Sequence, residues 1–159
     1  MKSNVMTHFF PVRTAAAGSS TFAFQIPNMK IAILGGGHGA YAAAADLSEA
    51  GHEVRLWRRD AAALAPVVQA GAITLKDVDG AHEVPLALAT ADIAVALKGV
   101  ELIVIPTPAI AQHDIALAMA PHLVDGQVVF LPPGTFGSYV MARTVQEVGN
   151  RAGVGWAGA

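Results

Sequence analysis

From residue 29 onward, short apolar runs alternate with longer stretches whose apolar positions recur at helical spacing. Ile31, Ile33 and Leu34 make a short buried strand, Tyr41 to Ala50 reads as a helix that stops at Gly51, and Glu53 to Trp57 is a second short strand. Asp60 is placed to cap a helix over Ala61 to Ala70, which Pro66 is expected to kink or shorten. Ile73 to Asp77 and His82 to Leu86 flank Asp79-Gly80 and predict a hairpin with a loop longer than the tightest type. Asp92 to Lys98 is a short helix ended by Gly99, and Leu102 to Ile105 is a fully buried strand ended by Pro106-Thr107-Pro108. Ala109 to Ala120 follows as a helix, Gln127 to Leu131 as a strand and Ser138 to Val148 as a last helix, with Val154 to Ala159 beginning a further strand.

Strands alternating with helices imply parallel crossovers, and so an α/β fold: a Rossmann-type, doubly wound, mainly parallel sheet with a small hairpin insertion. In such a sheet a ligand lies at the carboxyl ends of the strands. Three of those ends carry chemistry. The first strand runs straight into Gly35-Gly36-Gly37-His38-Gly39-Ala40, a Gly-x-Gly-x-x-Ala turn that opens a helix. Gly35 permits the tight turn, Gly37 lets backbone approach a pyrophosphate, and Ala40 is small enough for the helix to sit close to the strand. The free N–H groups of the first helical turn then hold the phosphates. Pro106, Thr107 and Pro108 after one buried strand, and Pro133, Gly134 and Thr135 after the next, are expected to line the same cleft.

The end of the second strand bears on the choice of cofactor. An NAD site places Asp or Glu there, roughly 20 residues past the glycines, to accept hydrogen bonds from the ribose 2′-hydroxyl. This chain has Arg58-Arg59, which cannot accept those bonds but suit a 2′-phosphate through forked, charge-assisted ones. NADP is therefore favoured over NAD. The rival is Asp60, which reaches the ribose if the strand ends later; the plain alternative is that both arginines are solvated surface charges.

Composition narrows the partners. The chain has 159 residues, 53% hydrophobic and 14% charged, with a net charge of -2 and no cysteine. Its length suits one domain with a sizeable core, and no stretch approaches the ~18 uninterrupted apolar residues of a membrane span. The absence of a basic run argues against a nucleic-acid surface. Lack of cysteine excludes disulfides and thiolate metal sites and suits a reducing cytoplasm. Met1 to Asn28 contains no acidic residue and no sustained period, so residues 1–28 are expected to be an unstructured extension, with Met29 the natural start of translation and 29–159 the dinucleotide-binding domain.

With these residues in place, the stretch from Met29 to about Thr144 resembles the nucleotide-binding half of the octopine/nopaline (opine) dehydrogenase family. The resemblance rests on Ile33-Leu-Gly-Gly-Gly-His-Gly-Ala40, Gly51-His-Glu-Val-Arg-Leu-Trp57, Val104-Ile-Pro-Thr-Pro-Ala109 and Pro133-Gly-Thr-Phe-Gly137, the last being the most specific. Glycerol-3-phosphate dehydrogenase and ketopantoate reductase share the glycine turn and the second strand and are close competitors. The chain departs from the family at His38, where Asn is common, and at Arg58, near which an acid is usual. What the resemblance implies is hydride transfer to an imine or a ketone, with proton donation and carboxylate binding supplied by a helical C-terminal domain. The chain is expected to lack that domain, and so to be inactive alone and to self-associate through apolar surface left bare near Phe136, Tyr139 and Trp156. A stand-alone dinucleotide-binding or redox-sensing module is the reading from a different class.

The remaining polar residues suggest no second site. His38, beside the phosphates, suits a neutral donor to the cofactor or a solvent-facing first-turn residue. His113, Asp114 and His122 read as surface, Met119 and Met141 as core, and no His/Asp/Glu spacing resembles a metal site. Ser138 lacks the Gly-x-Ser-x-Gly context of a nucleophile, and no catalytic residue is assigned.

Overall fold

The computed structural model describes residues 27–78, 80–134 and 136–158, the side chain of Asp77 apart. The reading of an N-terminal extension falls on residues 1–28, of which 1–26 lie outside the described residues, as does Thr135. Along the chain the elements are β1 (Lys30–Leu34), α1 (His38–Glu49), β2 (Glu53–Trp57), α2 (Ala61–Ala70), β3 (Ala72–Asp77), β4 (Gly80–Pro85), β5 (Leu88–Thr90), α3 (Ile93–Leu97), β6 (Leu102–Val104), α4 (Ala109–Met119), a 3-10 turn (Ala120–His122), β7 (Val128–Leu131), α5 (Gly137–Glu147) and β8 (Gly155–Gly158).

Six of the strands form one sheet in the order β5-β2-β1-β6-β7-β8, and every neighbouring pair is parallel. β3 and β4 stand apart as an antiparallel hairpin. Numbered by their order in the sheet-forming sequence, the six strands run 3-2-1-4-5-6, the doubly wound arrangement whose crevice opens where the order reverses, between β1 and β6.

The apolar run of β1 explains its central place. Ile31 and Ile33 pack with Ala40 and Ala44 of α1 and Leu64 of α2, while Ala32 and Leu34 pack on the opposite face with α3, α4 and α5 residues such as Leu97, Ile115 and Met141. A strand covered on both sides needs apolar residues at every position, and each fully buried Ile or Leu contributes about 1.5–3 kcal/mol relative to exposure. Met119 and Met141 are wholly buried, as expected of core fillers.

Local chemistry sets the helix ends. Asp60 caps α2, its Oδ1 accepting the N–H of Ala63 at 3.0 Å, and Gly71 closes that helix in the left-handed region at φ 64. With both ends fixed, α2 keeps its expected span from Ala61 to Ala70, so Pro66 does not shorten it; the ring removes one N–H, not the caps. Asp92 caps α3, accepting from the N–H groups of Ala94 and Val95.

Three further details differ from the sequence reading. β5 was not foreseen: Leu88-Ala-Thr90 is too short and too half-buried to show a period, and it is a strand because it aligns Arg55 to Trp57 with Leu88 to Thr90. The hairpin pairs Asp77 with Gly80, leaving only residues 78 and 79 between the strands, so its loop is the two-residue kind and not a longer one. Trp156 is half-covered: β8 forms as the sixth strand, places Trp156 opposite Val129 and packs it on the core. Phe136 and Tyr139 are bare, as expected, at 83% and 62% exposure.

Candidate dinucleotide site

The glycine turn is held by both of its neighbouring strands' loops. Gly35 is buried, and its N–H donates to the carbonyl of Trp57 at 3.0 Å, so the turn stays joined to the end of β2. Its φ of +156 and its surroundings exclude a side chain, since a Cβ there would lie 2.9 Å from Cγ2 of Thr107 and 3.2 Å from Cβ of Ala40. Gly39 faces the same loop, where an added Cβ would meet the Pro106 carbonyl at 3.5 Å. The loops after β1 and β6 are therefore in direct contact.

Gly37 differs from these. It is the N-cap of α1 in extended conformation, and among the described residues an added Cβ would meet nothing within 4 Å and no side chain caps the helix. Residues 36–39 are exposed, His38 among them. The turn thus presents an open shelf of backbone above an uncapped helix N-terminus, where the helix dipole favours an anion. Thr107, against the same turn, has a buried Oγ1 with no hydrogen-bond partner among the described residues. An orphaned hydroxyl beside an open backbone shelf fits a phosphate-bearing group, which supplies acceptors for both.

The two arginines straddle this turn. Arg58 lies across Gly36, so that a Cβ there would come within 2.7 Å of its Nε, and its Nη1 donates to the Tyr41 hydroxyl of α1 at 3.3 Å. Arg59 turns to the other side, its Nη1 lying 3.3 Å from Oδ2 of Asp114 on α4. Because β2 ends at Trp57, Asp60 is the cap of α2 with one carboxylate oxygen engaged there. Trp57 itself is anchored by its indole N–H, which donates to the carbonyl of Ala91 at 3.0 Å, and the backbone N–H of Arg58 donates to Thr90 at 3.3 Å.

Pro108 opens α4 as its N-cap residue, without a capping side chain. The loop after β7 lies one strand further along the sheet. There Gly134 is buried and accepts the N–H of Gly137, and a Cβ on Gly158 of β8 would sit 3.2 Å from the Gly134 Cα. Direct contacts thus join Gly35, Gly36, Gly39, Ala40, Arg58, Pro106 and Thr107, whereas Gly134, which follows Pro133, is placed by β8 and α5. Gly137 lets α5 approach α4, where an added Cβ would come to 2.9 Å from Cδ of the buried Gln112.

Sequence reasoning left out two partners. Tyr41 is one turn into α1 and bonds Arg58; Asp114 is exposed, as expected of a surface residue, but is paired with Arg59. Neither has a local signal, because each meets its arginine across the fold. No group of three His, Cys, Asp or Glu able to hold a metal occurs among the described residues, and none of their helices is long and apolar enough to cross a membrane.

Comparisons with known proteins agree with this fold. An opine dehydrogenase of Arthrobacter sp. (strain 1C) is 33% identical over 121 residues, covering 76% of this chain and 34% of the relative. The structure of an octopine dehydrogenase in complex with NADH and agmatine superposes with a TM-score of 0.66 at 24% identity, covering 80% of this chain and 34% of that one. A ketopantoate reductase from Ralstonia eutropha JMP134 gives 0.63 at 23% identity, over 80% of this chain and 39% of its own. The chain thus spans little more than a third of the length of these relatives, and at such identities the two structures show the fold alone. Residues 30–147 match the N-terminus of NAD-dependent glycerol-3-phosphate dehydrogenases, and with the glycine turn, strand order and switch-point crevice in place, the chain belongs to that family of N-terminal domains.

Proposed function

We propose that this chain holds NADP in preference to NAD, as the nucleotide-binding part of an opine-dehydrogenase-like oxidoreductase that reduces an imine or ketone. The observation that carries the reading is the end of β2: Arg58 lies across Gly36 and Arg59 stands beside it, while the one nearby carboxylate on that loop, Asp60, caps α2. When bound, a nicotinamide dinucleotide supplies a hydride to an electrophilic carbon. The chain's own residues bind and orient: the N–H groups at the start of α1 and the Thr107 hydroxyl face the phosphates, and Arg58 with Arg59 supplies positive charge for a 2′-phosphate. Pro106 and Pro108 stiffen the loop that presses Thr107 against Gly35.

Titration of the chain with NADPH and NADH, followed by nicotinamide fluorescence, tests this. Tighter binding of NADPH that weakens as salt is raised supports the reading, because these charges are partly exposed. Arg58→Asp then moves the preference toward NADH. Equal affinity of the unaltered chain for both cofactors overturns it.

A second reading is favoured by the family match, whose description names NAD and glycerol-3-phosphate. On that reading the chain takes NAD and serves the reduction of a ketone such as dihydroxyacetone phosphate. The same titration separates the two cofactors, and turnover by a protein joining this chain to a substrate-binding domain separates the substrates.

A further inference from the structure

We infer that Asp114 competes with the 2′-phosphate of NADP for Arg59, and thereby sets how strongly the chain prefers the phosphorylated cofactor; the inference rests on the NADP reading above. Arg59 follows β2 by two residues, at the strand end where a ribose is read in this fold. Its Nη1 is not directed to the glycine turn but lies 3.3 Å from Oδ2 of Asp114. Arg58 is differently held, packed over Gly36 and tied to Tyr41. In the sheet β1 lies between β2 and β6, and α4 follows β6, so the Arg59–Asp114 pair links the two elements that flank the carboxyl end of β1. Arg59 is also the chain neighbour of Arg58, whose side chain lies across Gly36 of the glycine turn.

The pair is built to exchange. Its side chains are 62% and 58% exposed, and a single contact between such solvated groups is weak. A phosphate dianion offers the guanidinium a forked, doubly charged partner, which one carboxylate oxygen at 3.3 Å does not match. Arg59 leaving Asp114 for the phosphate gains more than it loses, but the loss is subtracted from NADPH binding. NADH has no 2′-phosphate to draw Arg59 away, so its binding carries no such term.

The test uses the full chain with D114N, R59A and the double variant, each checked for folding by circular dichroism and titrated calorimetrically with NADPH and NADH. D114N should tighten NADPH by about two- to five-fold and leave NADH unchanged. R59A should weaken NADPH and remove the gain from D114N, because the competition needs the arginine. A gain that survives in the R59A background means simple repulsion by Asp114 and overturns the exchange, as does a gain that NADH shares. If every variant binds the two cofactors equally, the NADP reading itself fails; if NADPH is preferred and D114N leaves that preference unchanged, the exchange alone fails.

Discussion

Gly35 and Thr107 are packed so closely that a Cβ on the glycine would stand 2.9 Å from the threonine Cγ2, whereas a Cβ on Gly37 would meet nothing within 4 Å. The two glycines of one turn therefore have different reasons to be glycine. One is required by the protein and the other by what approaches it.

Their substitutions should separate accordingly. Gly35→Ala forces apart the loops after β1 and β6 and puts a side chain at φ +156, so it should cost about 1–3 kcal/mol of stability and weaken dinucleotide binding with it. Gly37→Val should unfold within a few degrees of the unaltered chain yet abolish binding. Thermal melts alongside NADPH titrations check both; a folded Gly37→Val variant with undiminished affinity would refute the placement of the phosphates.

Thr107 gives a prediction of opposite sign for stability and binding. Its Oγ1 is buried without a partner among the described residues, so Thr107→Val removes an unsatisfied hydroxyl while keeping the shape. The chain should be unchanged or up to about 1 kcal/mol more stable in urea unfolding, and should bind the dinucleotide less tightly. Thr107→Ser, which keeps the hydroxyl, should retain more of the affinity. A valine variant that loses stability and keeps its affinity would mean that the hydroxyl faces the protein.

What could be read in the sequence followed from local pattern. The run Ile31 to Leu34 followed by glycines and alanines marks β1, the turn and α1 with no help from elsewhere, and Asp60 and Asp92 mark their helices by capping. β5 was illegible because three half-buried residues carry no period, and only pairing with β2 makes them a strand. At the site, the residue types on the turns were legible and their directions were not. Arg58 and Arg59 are adjacent in sequence yet turn to α1 and α4, a divergence set by Tyr41 and by Asp114, which lies 55 residues from Arg59.

Gln127 joins elements that the sequence shows only as neighbours. Its Nε2 donates to the carbonyls of Leu97 and Val100 at 3.3 and 3.1 Å, and its Oε1 accepts the N–H of Val124 at 3.0 Å. This buried side chain closes the end of α3 and fixes the entry to β7. Gln127→Leu strands those backbone groups and should cost about 1–3 kcal/mol, read as a lower urea midpoint with an unchanged slope. An unaltered midpoint would show that water replaces the amide without loss.

The last expectation concerns chemistry. The chain should hold a dinucleotide and yet show no appreciable dehydrogenase turnover. Hydride transfer requires an acceptor fixed near the nicotinamide and a group to neutralise the charge that develops on it. Among the described residues, the polar groups that meet at the glycine turn are backbone N–H, the Thr107 hydroxyl and two arginines with their partners, all assigned to phosphate and ribose under the proposed function. His113 lies 3.5 Å from the Thr144 hydroxyl of α5, outside the contacts that join the turn, and His38 is exposed at the mouth of α1. Among the described residues, neither is paired with a carboxylate that would orient it as an acid. Meanwhile Ile110, Phe136 and Tyr139 stand 92%, 83% and 62% exposed at the starts of α4 and α5, apolar area that a partner surface would cover. The chain should therefore self-associate as its concentration rises, which sedimentation would detect. Steady NAD(P)H oxidation by the purified chain, with an amino acid plus a 2-oxo acid or with dihydroxyacetone phosphate, would show that the catalytic groups lie within these 159 residues after all.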